Sequence, residues 1–149
     1  MKRQIMMCAT LLAVLVSMAG PLSAQDLVGE WQFARPARNG VHAGTITVDQ
    51  IGQVRLRARG PVQSYTQCGH VKVTGVRVEV VFTSVWSVQA YSLDHFYCTR
   101  PGDGILSCYN IDGIGKEDDL FRIERISGTP AVPDREMDAD CPARQRPQA

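Results

Sequence analysis

Between Thr45 and Arg59 the chain reads TITVDQIGQVRLRAR, an alternation that an extended strand sorts onto two faces. Ile46 and Val48 take one face, the chain reverses at Gly52, and Val54, Leu56 and Ala58 then alternate with Arg55, Arg57 and Arg59. This is a hairpin with one side for a core and one for water, so the arginine row is expected outside. HVKVTGVRVEVVF, starting at His70, predicts a second hairpin. A two-residue loop at Thr74 and Gly75 sets Val73 against Val76, Lys72 against Arg77, Val71 against Val78 and His70 against Glu79.

DHFYCTRPGDGILSCYN, Asp94 to Asn110, predicts a third hairpin. With Gly102, Asp103 and Gly104 as a three-residue loop, Pro101 faces Ile105 and Cys98 faces Cys108. A two-residue loop instead sets Cys98 against Ser107. SVWSVQAYSL, from Ser84, reads as a strand or a strand plus loop. DDLFRIERI, from Asp118, reads as a closing strand with Phe121, Ile123 and Arg125 on one face. No window after the N-terminal segment sustains a helical period. About eight short strands at roughly 8–12 residue spacing predict an all-β, antiparallel barrel, with a β-sandwich as the alternative.

The N-terminal segment is of another kind. Lys2 and Arg3 precede an apolar run from Ile5 to Met18, and GPLSA then leads to a small-residue cleavage site after Ala24. Residues 1–24 are expected to be a signal peptide, cleaved on export to the periplasm or beyond. The run is too short and too sharply ended for a membrane span, and no other follows. Residues 25–127 form the predicted barrel domain. Residues 128–149 hold four prolines, many charges and few large apolar groups, the composition of a mostly disordered tail.

Cleavage leaves Cys68, Cys98, Cys108 and Cys141, an even number that predicts two disulfides in an oxidising compartment. Three connectivities remain open at this level. Cleavage also removes two of the 16 basic residues, leaving 14 against 15 acids, net −1. That balance offers no electrostatic footprint for nucleic acid.

LVGEW, Leu27 to Trp31, resembles the G-x-W start of lipocalins and other calycin-like barrels. The resemblance implies that Gly29 and Trp31 close one end of the barrel, and that a basic residue of the last strand, Arg122 or Arg125, packs over the indole. It also implies a small exported barrel that binds a small molecule or a protein.

Other residue types suggest chemistry that the spacing does not support. His42, His70 and His95 fall on separate predicted strands, and C-x₂-C spacing is absent, so no metal and no cofactor is expected. Asp94 and His95 are adjacent on a strand, point to opposite faces and cannot act as two members of a triad. CYNIDGIGKEDD, from Cys108, aligns poorly with a calcium loop because Cys108 holds the first ligand position. No catalytic residue is assigned. The expectation is a monomeric, non-enzymatic binding protein. The alternatives are an inhibitor of an exported protease and an envelope-associated structural protein.

Overall fold

The computed structural model describes residues 21–112, 115–116, 119–128 and 141. A 3-10 turn at Ala24–Leu27 leads into strands β1 (Gly29–Ala37), β2 (Gly40–Val48), β3 (Gln53–Arg59), β4 (Ser64–Thr74) and β5 (Arg77–Ser87). Strands β6 (His95–Gly102), β7 (Ile105–Asp112), β8 (Gly115–Lys116) and β9 (Phe121–Ser127) complete the chain. The neighbours run β6-β5-β4-β3-β2-β1-β9-β7, and a β6–β7 pairing closes the sheet into an antiparallel barrel of eight strands. Two-residue β8 only extends the edge of β7. The all-β barrel expected from the alternation is the fold, and the sandwich alternative falls away. Most of the two predicted terminal segments, 1–24 and 128–149, lies outside the described residues.

The TITVDQIGQVRLRAR hairpin pairs Val48 with Val54 and Ile46 with Leu56, all four inside the barrel. Arg55, Arg57 and Arg59 alternate with them on the outside. Arg57 and Arg59 are exposed, whereas Arg55 is buried on the outer surface, where its neighbour Cys68 bonds to Cys141. The second hairpin differs from expectation by one step of its turn. Its loop is Gly75-Val76, with Gly75 at φ +62°, and Thr74 pairs with Arg77. Lys72 therefore faces Glu79 rather than Arg77, and His70 faces Val81 rather than Glu79. Opposite charges replace like charges across the strands, and glycine takes the first turn position, where a left-handed backbone carries little cost.

In the third hairpin Cys98 does face Cys108, but by another route. Gly102, not Pro101, pairs with Ile105, and a bulge between Thr99 and Gly102 absorbs the extra residue. Pro101 has no N–H to give to a ladder, so the bulge is where a strand accommodates it. SVWSVQAYSL is divided: Ser84–Ser87 continue β5, and the rest forms the loop to β6.

The barrel interior is layered. At the end where β1 begins, Leu27, Trp31, Ile46, Val48, Val78, Val80, Leu106 and Ile123 are buried together. Above them sit Phe33, Phe82, Phe96 and Phe121, with Phe96 edge-on to Phe82 at 5.3 Å and to Phe121 at 5.1 Å. The Cys98–Cys108 bridge lies in the same core. Polar side chains occupy the other end.

Candidate functional site

The polar end is built from inward positions of strands that otherwise alternate apolar and polar. Arg35 on β1, Gln67 on β4, Asn110 on β7 and Asp94 just before β6 are each at most 2% exposed. Arg35 Nη2 donates to Asp94 Oδ1 at 3.2 Å, and Asn110 Nδ2 donates to the same oxygen at 2.8 Å. Gln67 Nε2 donates to Asp94 Oδ2 at 2.5 Å, while Gln67 Oε1 accepts from the Asp94 backbone N–H at 3.0 Å. Asn110 Oδ1 accepts from the His95 backbone N–H at 3.0 Å, which fixes where β6 starts. A buried carboxylate is tolerable when its charge is paired and its lone pairs are met, and Asp94 satisfies both conditions.

Arg35 Nη2 also lies 3.2 Å from the Tyr91 hydroxyl, which links this network to a second cluster at the mouth. His42 is 3% exposed and stands between Asn39, Tyr65 and Tyr91. Asn39 Oδ1 faces Nε2 at 2.9 Å, an acceptor that suits a proton on that nitrogen, and the Tyr65 and Tyr91 hydroxyls face Nδ1 at 2.9 Å and 3.2 Å. The Tyr65 and Tyr91 rings stack at 4.1 Å. Burial raises the pKa of both phenols, and the charge of Asp94 pushes each further up. Both hydroxyls therefore stay protonated at neutral pH, as hydrogen-bonding groups rather than nucleophiles. His42 and Tyr91 also line a cleft of about 270 Å3 at this mouth, bordered by Arg38, Asn39, Ser92 and Asp112.

The two layers leave little room inside. The apolar end retains about 10 Å3, beside Leu27, Trp31 and Ile123, which is at the lower limit for a single water. An eight-stranded barrel is just wide enough to be filled by side chains, and here they fill it.

Gly29 and Trp31 lie at the apolar end. Gly29 has φ +134°, and a Cβ there would sit 2.1 Å from the Ser127 carbonyl oxygen, so the residue lets β1 approach β9 at a bulge. Trp31 Nε1 donates to the Leu27 carbonyl at 2.8 Å. Of the two basic candidates, Arg125 covers the indole, with its guanidinium carbon 4.3 Å from the ring centroid. Its Nη1 donates to the Val28 carbonyl at 2.8 Å and its Nη2 to that of Asp26. Arg122 does not take part: an odd step along the strand turns it outward, beside Glu124 at 3.7 Å.

The cysteines pair as Cys98–Cys108 and Cys68–Cys141. The histidines stay apart: His42 is inside, His70 is exposed on β4, and His95 faces outward to Glu79 Oε2 at 3.2 Å. Asp94 and His95 point to opposite sides as strand geometry requires. Among the described residues no group of three or more His, Cys, Asp or Glu is placed to hold a metal. In the calcium-loop alignment, Cys108 is bridged and Asn110 is turned into the barrel. The interior network escaped sequence reasoning. Its one available signal was polar residues at inward positions of β1, β4 and β7.

Among the described residues no helix is long and apolar enough to cross a membrane. Comparison with protein-family models, with curated proteins and with solved structures finds no match.

Proposed function

We propose that this chain is an exported, non-enzymatic binding protein on a calycin-like barrel, and that it meets its partner with its outer surface rather than an interior pocket. The filled interior carries this reading: apolar side chains and the Phe cluster occupy one part, and the Arg35–Asp94–Gln67–Asn110 network occupies the polar end together with His42, Tyr65 and Tyr91. Those polar groups are held against one another, which suits a structural layer better than a reacting centre. The two disulfides suit an oxidising compartment, in keeping with the signal-like N-terminus. The Arg125–Trp31 contact supports the calycin-like reading. Inhibition of a protease by an N-terminal arm is less well supported, because Leu27 and Val28 are packed into the barrel end.

Native mass spectrometry of protein purified from its own host tests the proposal. The expected species is a bare monomer lacking the leader. A small molecule that stays bound until the barrel unfolds would overturn the filled-interior reading.

A further inference from the structure

The outer face of β3, β4 and β5 carries a trough. The register sets Arg57 beside Thr66 and Thr66 beside Trp86, and one step along it sets Arg59 beside Ser64. Neighbouring strands lie ~4.8 Å apart, so the guanidinium ridge on β3 and the indole on β5 rise about 10 Å from each other. Short Ser64 and Thr66 side chains form the floor between them. The space enclosed is about 450 Å3 and open to solvent. Arg57 and Arg59 are exposed, and Trp86 keeps 45% of its surface in water. The trough thus sets an exposed amphipathic indole beside two exposed guanidinium groups on one outer face.

We infer that this trough binds an anionic saccharide, with its carboxylate on Arg57 and Arg59, its ring face on Trp86 and its hydroxyls on Ser64 and Thr66. Guanidinium groups match a carboxylate in a fork of parallel hydrogen bonds. The indole face attracts the polarised C–H groups of a pyranose through its quadrupole. An acidic peptide is a poorer occupant. β4, which forms the floor, is paired on both sides, so its backbone offers no ladder for an extended chain. This site rests on the binding-protein reading and gives it a ligand class.

Titration calorimetry of the full mature chain at 0.15 M salt tests the site, using trigalacturonate, galacturonate, neutral maltotriose and hexaglutamate as probes. The salt suppresses long-range attraction between exposed charges. Binding of trigalacturonate and not of maltotriose is expected. Trp86→Ala and the double variant Arg57→Gln/Arg59→Gln should each weaken it at least tenfold, with the outward Arg122→Gln unchanged. Galacturonate binding with the same dependence would assign the site to a free acid sugar; binding of the trimer alone would assign it to a chain. Absence of uronate binding, indifference to Trp86→Ala, or equal binding of hexaglutamate would each overturn the saccharide site. None of these results touches the filled-interior reading, which fails only if a ligand is found inside the barrel.

Discussion

Arg35 and Asp94 form an ion pair at 3.2 Å inside the barrel, with side chains 2% and 1% exposed, although they lie 59 residues apart in the chain. Gln67 and Asn110 complete the shell of the carboxylate. The contact joins β1 to the start of β6, strands that do not pair with each other. It therefore fixes the spacing across the interior rather than along the sheet.

Removal of one partner leaves the other charge buried and uncompensated. Asp94→Ala should cost roughly 3–5 kcal/mol. Urea denaturation followed by tryptophan fluorescence checks this; a loss below ~1 kcal/mol would show that Arg35 finds other compensation.

The Gly29–Trp31–Arg125 corner predicts a second effect. Gly29→Ala forces a side chain into the Ser127 carbonyl and a φ of +134° onto a residue with a Cβ. Strain of this kind costs of order 1–3 kcal/mol before any clash. Arg125→Ala loses the cation–π contact, about 0.5–2 kcal/mol, and two hydrogen bonds to the N-terminal turn. Arg122→Ala should be close to neutral, and thermal melts of the three variants would rank them in that order.

Alkaline pH should destabilise the barrel through Tyr65 and Tyr91. Burial raises both pKa values in the folded state, whereas an unfolded tyrosine ionises near pH 10. Their contribution is thus fully present below about pH 10 and is lost as pH rises from there toward the folded-state values. For buried Tyr65 the loss approaches about 1.4 kcal/mol per pH unit, and Tyr91 adds to it in the same direction. Denaturation midpoints at pH 8 to 11 should bend downward near the top of that range, and Tyr65→Phe should flatten the curve. An unchanged curve would mean that the phenols ionise in the folded barrel as they do in water.

The two bridges should contribute unequally. Cys68–Cys141 closes a separation of 73 residues and Cys98–Cys108 one of 10. On the chain-entropy account the longer loop is worth about 4.5 kcal/mol and the shorter somewhat under ~3 kcal/mol. Paired Cys→Ala variants, compared by denaturation, should show the larger loss for Cys68/Cys141. The opposite order would mean that packing around Cys98 and Cys108 in the core outweighs loop entropy.

Much of the barrel is legible in local sequence because strand faces depend on a two-residue period. Val54, Leu56 and Ala58 had to lie on one side and Arg55, Arg57 and Arg59 on the other, whatever their neighbours. Register is less local. HVKVTGVRVEVVF admits two turns one step apart, and the charge match of Lys72 with Glu79 favours the one adopted. The Pro101 bulge likewise brought Cys98 opposite Cys108 by a path that loop counting did not give.

By itself, then, the sequence determined the strands, their two faces, the positions of most turns and the cysteines available for bridging, since each follows from neighbours a few residues apart. Tertiary structure alone decided which cysteines pair and that Arg125 rather than Arg122 covers Trp31. It also decided that Arg35, Gln67, Asp94 and Asn110 converge in the interior. Those outcomes depend on barrel closure, which brings together side chains from distant strands and gives a buried charge the partners it requires.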